Sequence, residues 1–320
     1  MKRFLIIQTA FIGDVILATS VVEKLHQFYP ESRIDFLLRK GNEGLLENHP
    51  IINELIVWDK KNKKLDNLKA ITKKVKSTRY DVLINLHRFA SSGLITSLSG
   101  AKERIGFKKN PLSFSFTQKF PHQIGDGTHE IERNHQLIEA LTDKTPAKPK
   151  LYPSDKDYEK VSEYKKQAYV CIAPTSVWFT KQLPKEQWVK LIDKLDSQHT
   201  IYLLGGPDDA QQCEAIKELT QHTSVVNLAG KLSFLASAAL MDTAQMNYVN
   251  DSGPLHIASA MNAPVTAYFC STVPSFGFGP LSDNSTVVEV KEELACRSCG
   301  LHGHKACPEG HFDCGFKIDV

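Results

Sequence analysis

The stretch Met246–Phe269, MNYVNDSGPLHIASAMNAPVTAYF, reads as strand, turn, helix, strand. Met246 to Val249 is an apolar run of the length of a buried strand. Asn250, Asp251, Ser252 and Gly253 are turn and N-cap residues. Pro254 follows where the first turn of a helix tolerates proline. Leu255, Ile257, Ala258 and Met261 then share a helical face, Asn262 stops the helix, and Pro264 to Phe269 is the next strand. The polar residues thus stand at the carboxyl end of a strand and the amino end of a helix. In open α/β sheets ligands bind there, and free N–H groups favour phosphate. Taken alone, the turn is equally consistent with plain helix capping.

Outward from this unit the same alternation fills the chain. In the first half, Phe4–Gln8, 33–38, 55–58 and 81–86 read as strands, and Val15–Phe28, 41–48, 65–75 and 91–98 as helices. Residues 104–109 read as a basic loop and His129–Leu141 as a closing helix. Strands alternating with helices predict parallel sheets covered on both faces. Three prolines between Thr145 and Pro153 mark a linker, which divides the chain into residues 1–150 and 151–320. Beyond it, 168–173 and 200–204 are strands, and Pro184 opens a helix in its first turn.

The strand ends carry the chemistry. Thr9 to Asp14 is the loop after the first strand. Gly13 there allows close backbone approach or an unusual dihedral. Asp14, at the helix start, is placed to be either a cap or a general base. His87 and Arg88 follow another strand, and Arg104 lies in the basic loop. A lone His87 or His129 is also what a hydrogen-bonded structural histidine looks like. In the second half, Thr175, Ser176 and Lys181 offer hydroxyls and an ammonium suited to a diphosphate. Asp208 and Asp209 follow Gly205-Gly206 and suit a ribose or a simple cap. Neither a P-loop nor a G-x-G-x-x-G is present. Together these features describe a nucleotide-diphosphate site.

Charge separates the halves. The first 150 residues hold 25 Lys and Arg against 16 Asp and Glu; the remainder hold 14 against 20. The basic half is suited to an anionic partner, although Lys60 to Lys76, as one solvated helix, supplies much of the excess. The composition is globular, and the run Phe4–Ile7 is too short for a membrane span. These features place the protein in the cytoplasm, without nucleic acid as a partner. Cys296, Cys299, Cys307 and Cys314, spaced C-x2-C-x7-C-x6-C in a tail of about residues 291–320, are either candidate ligands for a structural Zn²⁺ or plain reduced thiols.

Four pieces in order resemble glycosyltransferase family 9, the ADP-heptose:lipopolysaccharide heptosyltransferases. They are the stretch Phe4 to Thr19 with its Gly13-Asp14, Lys181 to Pro184 before Trp188, Gly205-Gly206 with the acids after it, and Asn250-Asp251-Ser252-Gly253-Pro254-Leu255-His256. The resemblance implies a GT-B fold of the α/β class, with two doubly wound Rossmann-like domains facing a cleft. The acceptor would bind residues 1–150 through Thr9, Gly13, His87, Arg88 and Arg104. The nucleotide-sugar would bind residues 151–320 through Thr175, Ser176, Lys181, Asp208 or Asp209, and Asp251, Ser252, Gly253 and His256. It implies an inverting transfer of heptose, or a similar sugar, from an ADP-sugar to the lipopolysaccharide inner core. No metal would be needed for catalysis, Asp14 would act as base with Lys181 at the leaving group, and the enzyme would touch the inner membrane peripherally. Gln8 departs from the pattern, standing where a basic residue is common. The rival readings are a GT-B enzyme of another nucleotide-sugar and a non-catalytic sugar-nucleotide-binding relative.

Overall fold

The computed structural model describes residues Met1–Val320. The chain separates into two compact units. The first comprises 1–124 and 128–152, the second 125–127 and 153–320.

The first unit is built on a parallel sheet. Its strands are β1 (Arg3–Ile7), β2 (Arg33–Arg39), β3 (Ile52–Trp58), β4 (Val82–Asn85), β5 (Glu103–Phe107) and β6 (Gln118–Phe120), in the order β3-β2-β1-β4-β5-β6. Phe4 to Ile7 are fully buried because β1 is central and covered on both faces. Helices α1 (Ile12–Phe28), α2 (Lys64–Thr78), α3 (Ala90–Leu98) and α4 (Glu130–His135) supply the crossovers and cover. Leu68, Ile71 and Val75 of α2 and Ile95 of α3 close one core with Leu5, Ile7, Leu37, Trp58 and Leu83.

The second unit repeats this topology. Helix α5 (Asp155–Lys160) leads into β7 (Tyr169–Ala173), α6 (Lys185–Lys194), β8 (Thr200–Leu203), α7 (Ala210–Leu219), β9 (Val225–Asn227), α8 (Phe234–Asp242), β10 (Asn247–Asn250), α9 (Gly253–Met261), β11 (Val265–Phe269) and β12 (Ser285–Glu289). The order β9-β8-β7-β10-β11-β12 mirrors the first sheet strand for strand, and every pairing is parallel. This is the doubly wound arrangement expected from the alternation. It places a reversal of strand order between β1 and β4 and another between β7 and β10, where such sheets bind ligands.

Several local readings change. Of residues 104–109 only Lys108 and Lys109 lie in a turn: Glu103–Phe107 is strand β5, hidden in sequence by the charges that open it. Helix α1 begins at Ile12 rather than Val15, so Gly13 is an ordinary helical residue without a positive φ. Pro184 precedes the first turn of α6 as its N-cap. The expected helix over 129–141 is α4 followed by a separate 3-10 turn at Glu139–Leu141. In place of a helix at 41–48 there is one 3-10 turn at Glu43–Leu45.

The cysteine tail is not an appendage. Phe312, Cys314 and Ile318, in and beside the short helix α10 (Asp313–Phe316), belong to the core of the second unit with Trp188 and Leu191. Gln187 Nε2 on α6 donates to the carbonyls of Phe316, at 2.9 Å, and Ile318.

Candidate active site

At the switch point of the first sheet, the segment after β1 meets the segment after β4. Asp14 is the third residue of α1, and its Oδ2 accepts the N–H of Phe11 at 3.2 Å. It therefore caps the helix. Its pKa is nevertheless raised from 3.8 to about 6, first by burial and then by the like charge of Glu130; the N–H groups of Phe11 and Asp14 and the charge of Arg88 act the other way. Glu130 is itself buried and held ionised by His122 and by Arg133, whose Nε lies 2.7 Å from Oε2. A carboxylate tuned close to neutrality at a strand end has the properties of a general base.

Around it, Thr9 is buried with its Oγ1 3.2 Å from His87 Nδ1 and 2.9 Å from Lys60 Nζ. Lys60 also donates to the Thr9 carbonyl at 2.9 Å. Burial, with the charges of Lys60 and Arg88, depresses the His87 pKa to about 3, so this histidine is neutral near pH 7. Burial, Arg39 and Lys64 lower Lys60 to about 8. Gln8 turns inward: its Oε1 accepts the Ala10 N–H at 3.2 Å. Thr9, Asp14, His87 and Arg88 thus share one end of the sheet. Arg104 does not join them. It stands near the amino end of β5 and spends its guanidinium on the carbonyls of Ala101 and Ser115 at 2.6 and 3.1 Å.

At the switch point of the second sheet, Lys181 Nζ lies 2.6 Å from Asp251 Oδ2, with both side chains largely buried. The same oxygen accepts Thr272 Oγ1 at 2.6 Å. Asn250, fully buried at the end of β10, ties the two strand ends together. Its Oδ1 accepts the Leu183 N–H at 2.8 Å, and its Nδ2 reaches the Ala173 and Thr175 carbonyls at 3.4 Å. Gln182 Nε2 holds the Ser176 carbonyl at 2.7 Å. Ser252 is the N-cap of α9 but places no side-chain oxygen on its N–H groups. Gly253, at the first helical position, leaves that end of α9 without a side chain, and His256 is buried one turn on. The result is an ammonium, hydroxyls and an uncapped helix end at one strand edge, a combination suited to phosphate.

The acids after Gly205 divide. Asp209 Oδ2 accepts the Gly206 N–H at 2.7 Å, and its Cβ packs so near Gly205 that a Cβ there would stand 2.7 Å away. Asp209 therefore shapes the turn, and Asp208 is the exposed one.

The tail supports this loop directly. Thr180, next to Lys181, accepts the His304 N–H at 2.7 Å and the Ser271 hydroxyl at 3.0 Å. Gly303 has φ +74, and a Cβ on it would fall 2.9 Å from Thr180 Oγ1 and 3.0 Å from Lys181 Cγ, so only glycine fits. Arg297 donates to the carbonyls of Phe269, Cys270 and Thr272 at 3.1, 2.7 and 2.8 Å and pairs with Glu289. Arg297→Ala strands these acceptors. We expect a loss of about 1–3 kcal/mol in stability with weaker nucleotide binding, read by denaturant titration and calorimetry. Unchanged values in both would show the tail to be passive.

All seven cysteines are free thiols. Cys296, Cys299, Cys307 and Cys314 lie within electrostatic reach of one another, and burial first, then its neighbours, pushes Cys314 up to about 12. As placed, no three His, Cys, Asp or Glu side chains form a set that holds a metal ion.

A family model described as "Glycosyltransferase family 9 (heptosyltransferase)" matches residues 68–305. The chain belongs to glycosyltransferase family 9. An Escherichia coli relative named lipopolysaccharide heptosyltransferase 3 is 30% identical over 293 residues, 86% of this chain and 85% of its own. The structure of a family 9 glycosyltransferase from Veillonella parvula superposes with a TM-score of 0.81 at 22% identity, over 89% of this chain and 85% of that one. ADP-heptose lipopolysaccharide heptosyltransferase II of E. coli gives 0.79 at 20% identity, over 98% and 97%. The fold of this family 9 glycosyltransferase is accordingly GT-B, built from two Rossmann-like units.

Three contributors escaped the sequence reading of this glycosyltransferase, Thr180, Thr272 and Arg297, and a fourth, Lys60, was misread as the start of a solvated helix: α2 begins at Lys64, and Lys60 is held at Thr9. Each acts across a long sequence separation, and only the Arg297-containing C-x-x-C motif drew attention to its neighbourhood.

Proposed function

We propose that this glycosyltransferase moves heptose from ADP-heptose to a hydroxyl of the lipopolysaccharide inner core, with inversion at the anomeric carbon. Asp14 takes the proton of the acceptor hydroxyl. The acceptor oxygen attacks the anomeric carbon from the face opposite the diphosphate, the bond from that carbon to the ADP oxygen breaks, and ADP departs with the electron pair. Lys181 and the N–H groups at the start of α9 meet its charge, together with Thr175 and Ser176. Thr9, His87 and Arg88 face the acceptor, and Asp208 the nucleoside. No resident metal is assigned to the step. The names of the relatives support the sugar, the nucleotide and the acceptor. The basic character of the first 150 residues supports an acceptor carrying phosphates and carboxylates. A chain of this size needs no disulfide scaffold, which supports a cytoplasmic setting, at the inner-membrane face where a lipid-borne acceptor is met.

The observation that carries the catalytic part is Asp14 itself, a carboxylate at a switch point with its pKa lifted to about 6. The donor is tested by melting temperature with a panel of nucleotide diphosphates. ADP at 100 times its dissociation constant is expected to add about 2.7 kcal/mol, a rise of several degrees. A larger rise with UDP would replace the donor and favour another nucleotide-sugar.

A further inference from the structure

Two helices of the first unit leave an apolar face uncovered. Leu65 of α2 and Leu94 and Leu98 of α3 stand exposed beside the core residue Leu68 in an open groove of about 420 Å³, rimmed by Lys69, Lys73 and Lys76. Leu65 is 69% exposed, Leu98 51% and Leu94 38%. Scattered exposed leucines are ordinary, but these converge on one groove. The inner face of α2 is already satisfied by Leu68, Ile71 and Val75 in the core, so the exposed leucines are not a misplaced core surface. Helix α2 carries five lysines and one aspartate; Lys74 is paired with Glu54, and the lysines on the rim project outward.

Charge selects the occupant. A second copy of this chain would set lysines against lysines. An apolar floor inside a cationic rim matches the boundary between acyl chains and anionic headgroups, with lysine stems lying along the apolar surface and ammonium groups at phosphate level. Both helices begin at the sheet edge that bears Thr9, Asp14 and His87.

We propose that the leucine-floored, lysine-rimmed groove between α2 and α3 is the surface by which the enzyme docks on an anionic phospholipid bilayer. This rests on the reading that the acceptor is lipid-borne, because docking there brings the acceptor end of the first sheet to the membrane.

The test uses the full-length chain and vesicles of phosphatidylglycerol with phosphatidylcholine, or of phosphatidylcholine alone. Wild type is expected to co-sediment with the anionic vesicles and to be released by salt. Changing Lys69, Lys73 and Lys76 to Glu should lower the partition coefficient by about two orders of magnitude or more. Leu65→Ser with Leu98→Ser should lower it without changing its salt dependence. These residues are exposed, so both variants should keep the wild-type melting temperature. Transfer to a delipidated, water-soluble core saccharide should be unchanged in both, and transfer to acceptor embedded in vesicles should fall. Wild-type partitioning by both variants overturns the proposal. So does a dimer of wild type that the leucine variant dissolves, since the groove is then an interface between copies. If wild type transfers to neither acceptor, the functional reading fails, and vesicle partitioning still decides the groove.

Discussion

Asp14→Asn is expected to lower the transfer rate by about 10²- to 10⁴-fold while raising the melting temperature at pH 7–8. Two separate properties of the side chain produce the two effects. Asparagine keeps an oxygen for the Phe11 N–H, so the reciprocal bond from the third position of α1 to its N-cap residue is retained. It cannot accept a proton near neutrality. The thermal effect follows from linkage. The folded pKa, about 6, lies above the unfolded value near 3.8. Asp14 therefore contributes stability below the unfolded value, and that contribution is lost as pH rises through 6. At pH 7–8 the native state carries a carboxylate ionised at a cost, which asparagine removes. The rate of the wild type should show an acid limb with its midpoint near 6, absent from the residual activity of the variant. Steady-state transfer and melting curves between pH 5 and 8 give both readings. Full activity in the variant would leave Asp14 as a cap and the chain as a binding relative. Unchanged stability with lost activity would keep Asp14 as the base and show that its pKa is not raised in the free enzyme.

Lys181→Ala is expected to carry the second large effect. The ammonium and the Asp251 carboxylate form a largely buried pair, and removing one partner of such a pair costs about 3 kcal/mol, the low end of the usual range because water still reaches Lys181. Thr272 remains as the sole side-chain donor shown on Asp251 Oδ2. ADP affinity should fall as well, by about 10- to 100-fold, through loss of a charge-assisted contact worth about 1.5–3 kcal/mol. Denaturant unfolding measures the first quantity and calorimetry with ADP the second. A stability loss with intact ADP affinity would make Lys181 a structural partner of Asp251 and remove it from the diphosphate.

How much of this was readable follows from what periodicity reports. Phe4 to Ile7, Tyr169 to Ala173 and the Asp251 turn are local signals, apolar runs ending in cap residues, and they locate both switch points. Strands β6 and β12 are edge strands with little buried surface, so no apolar run marks them. Strand β5 opens with Glu103 and Arg104, and charge density disguised it. The position of Asp14 was legible, but its tuning was not: Glu130 lies more than a hundred residues away and meets it only through the fold. Lys60 is 51 residues from Thr9. Asp208 and Asp209 are adjacent and chemically identical; only the close packing against Gly205 tells them apart.

The support that the tail gives the Lys181 loop has a consequence for the order of events during synthesis. A nascent chain that has delivered every strand of the second sheet still lacks Arg297, Gly303 and Ile318. At about 5–20 residues per second, the interval between the end of β12 and Ile318 lasts a few seconds. During that interval the first unit has all its residues, while Thr180 lacks its partner at His304 and the carbonyls of Phe269 to Thr272 lack Arg297. The loop that carries Thr180 and Lys181 thus gains its tail contacts well after the residues that present Asp14 have emerged.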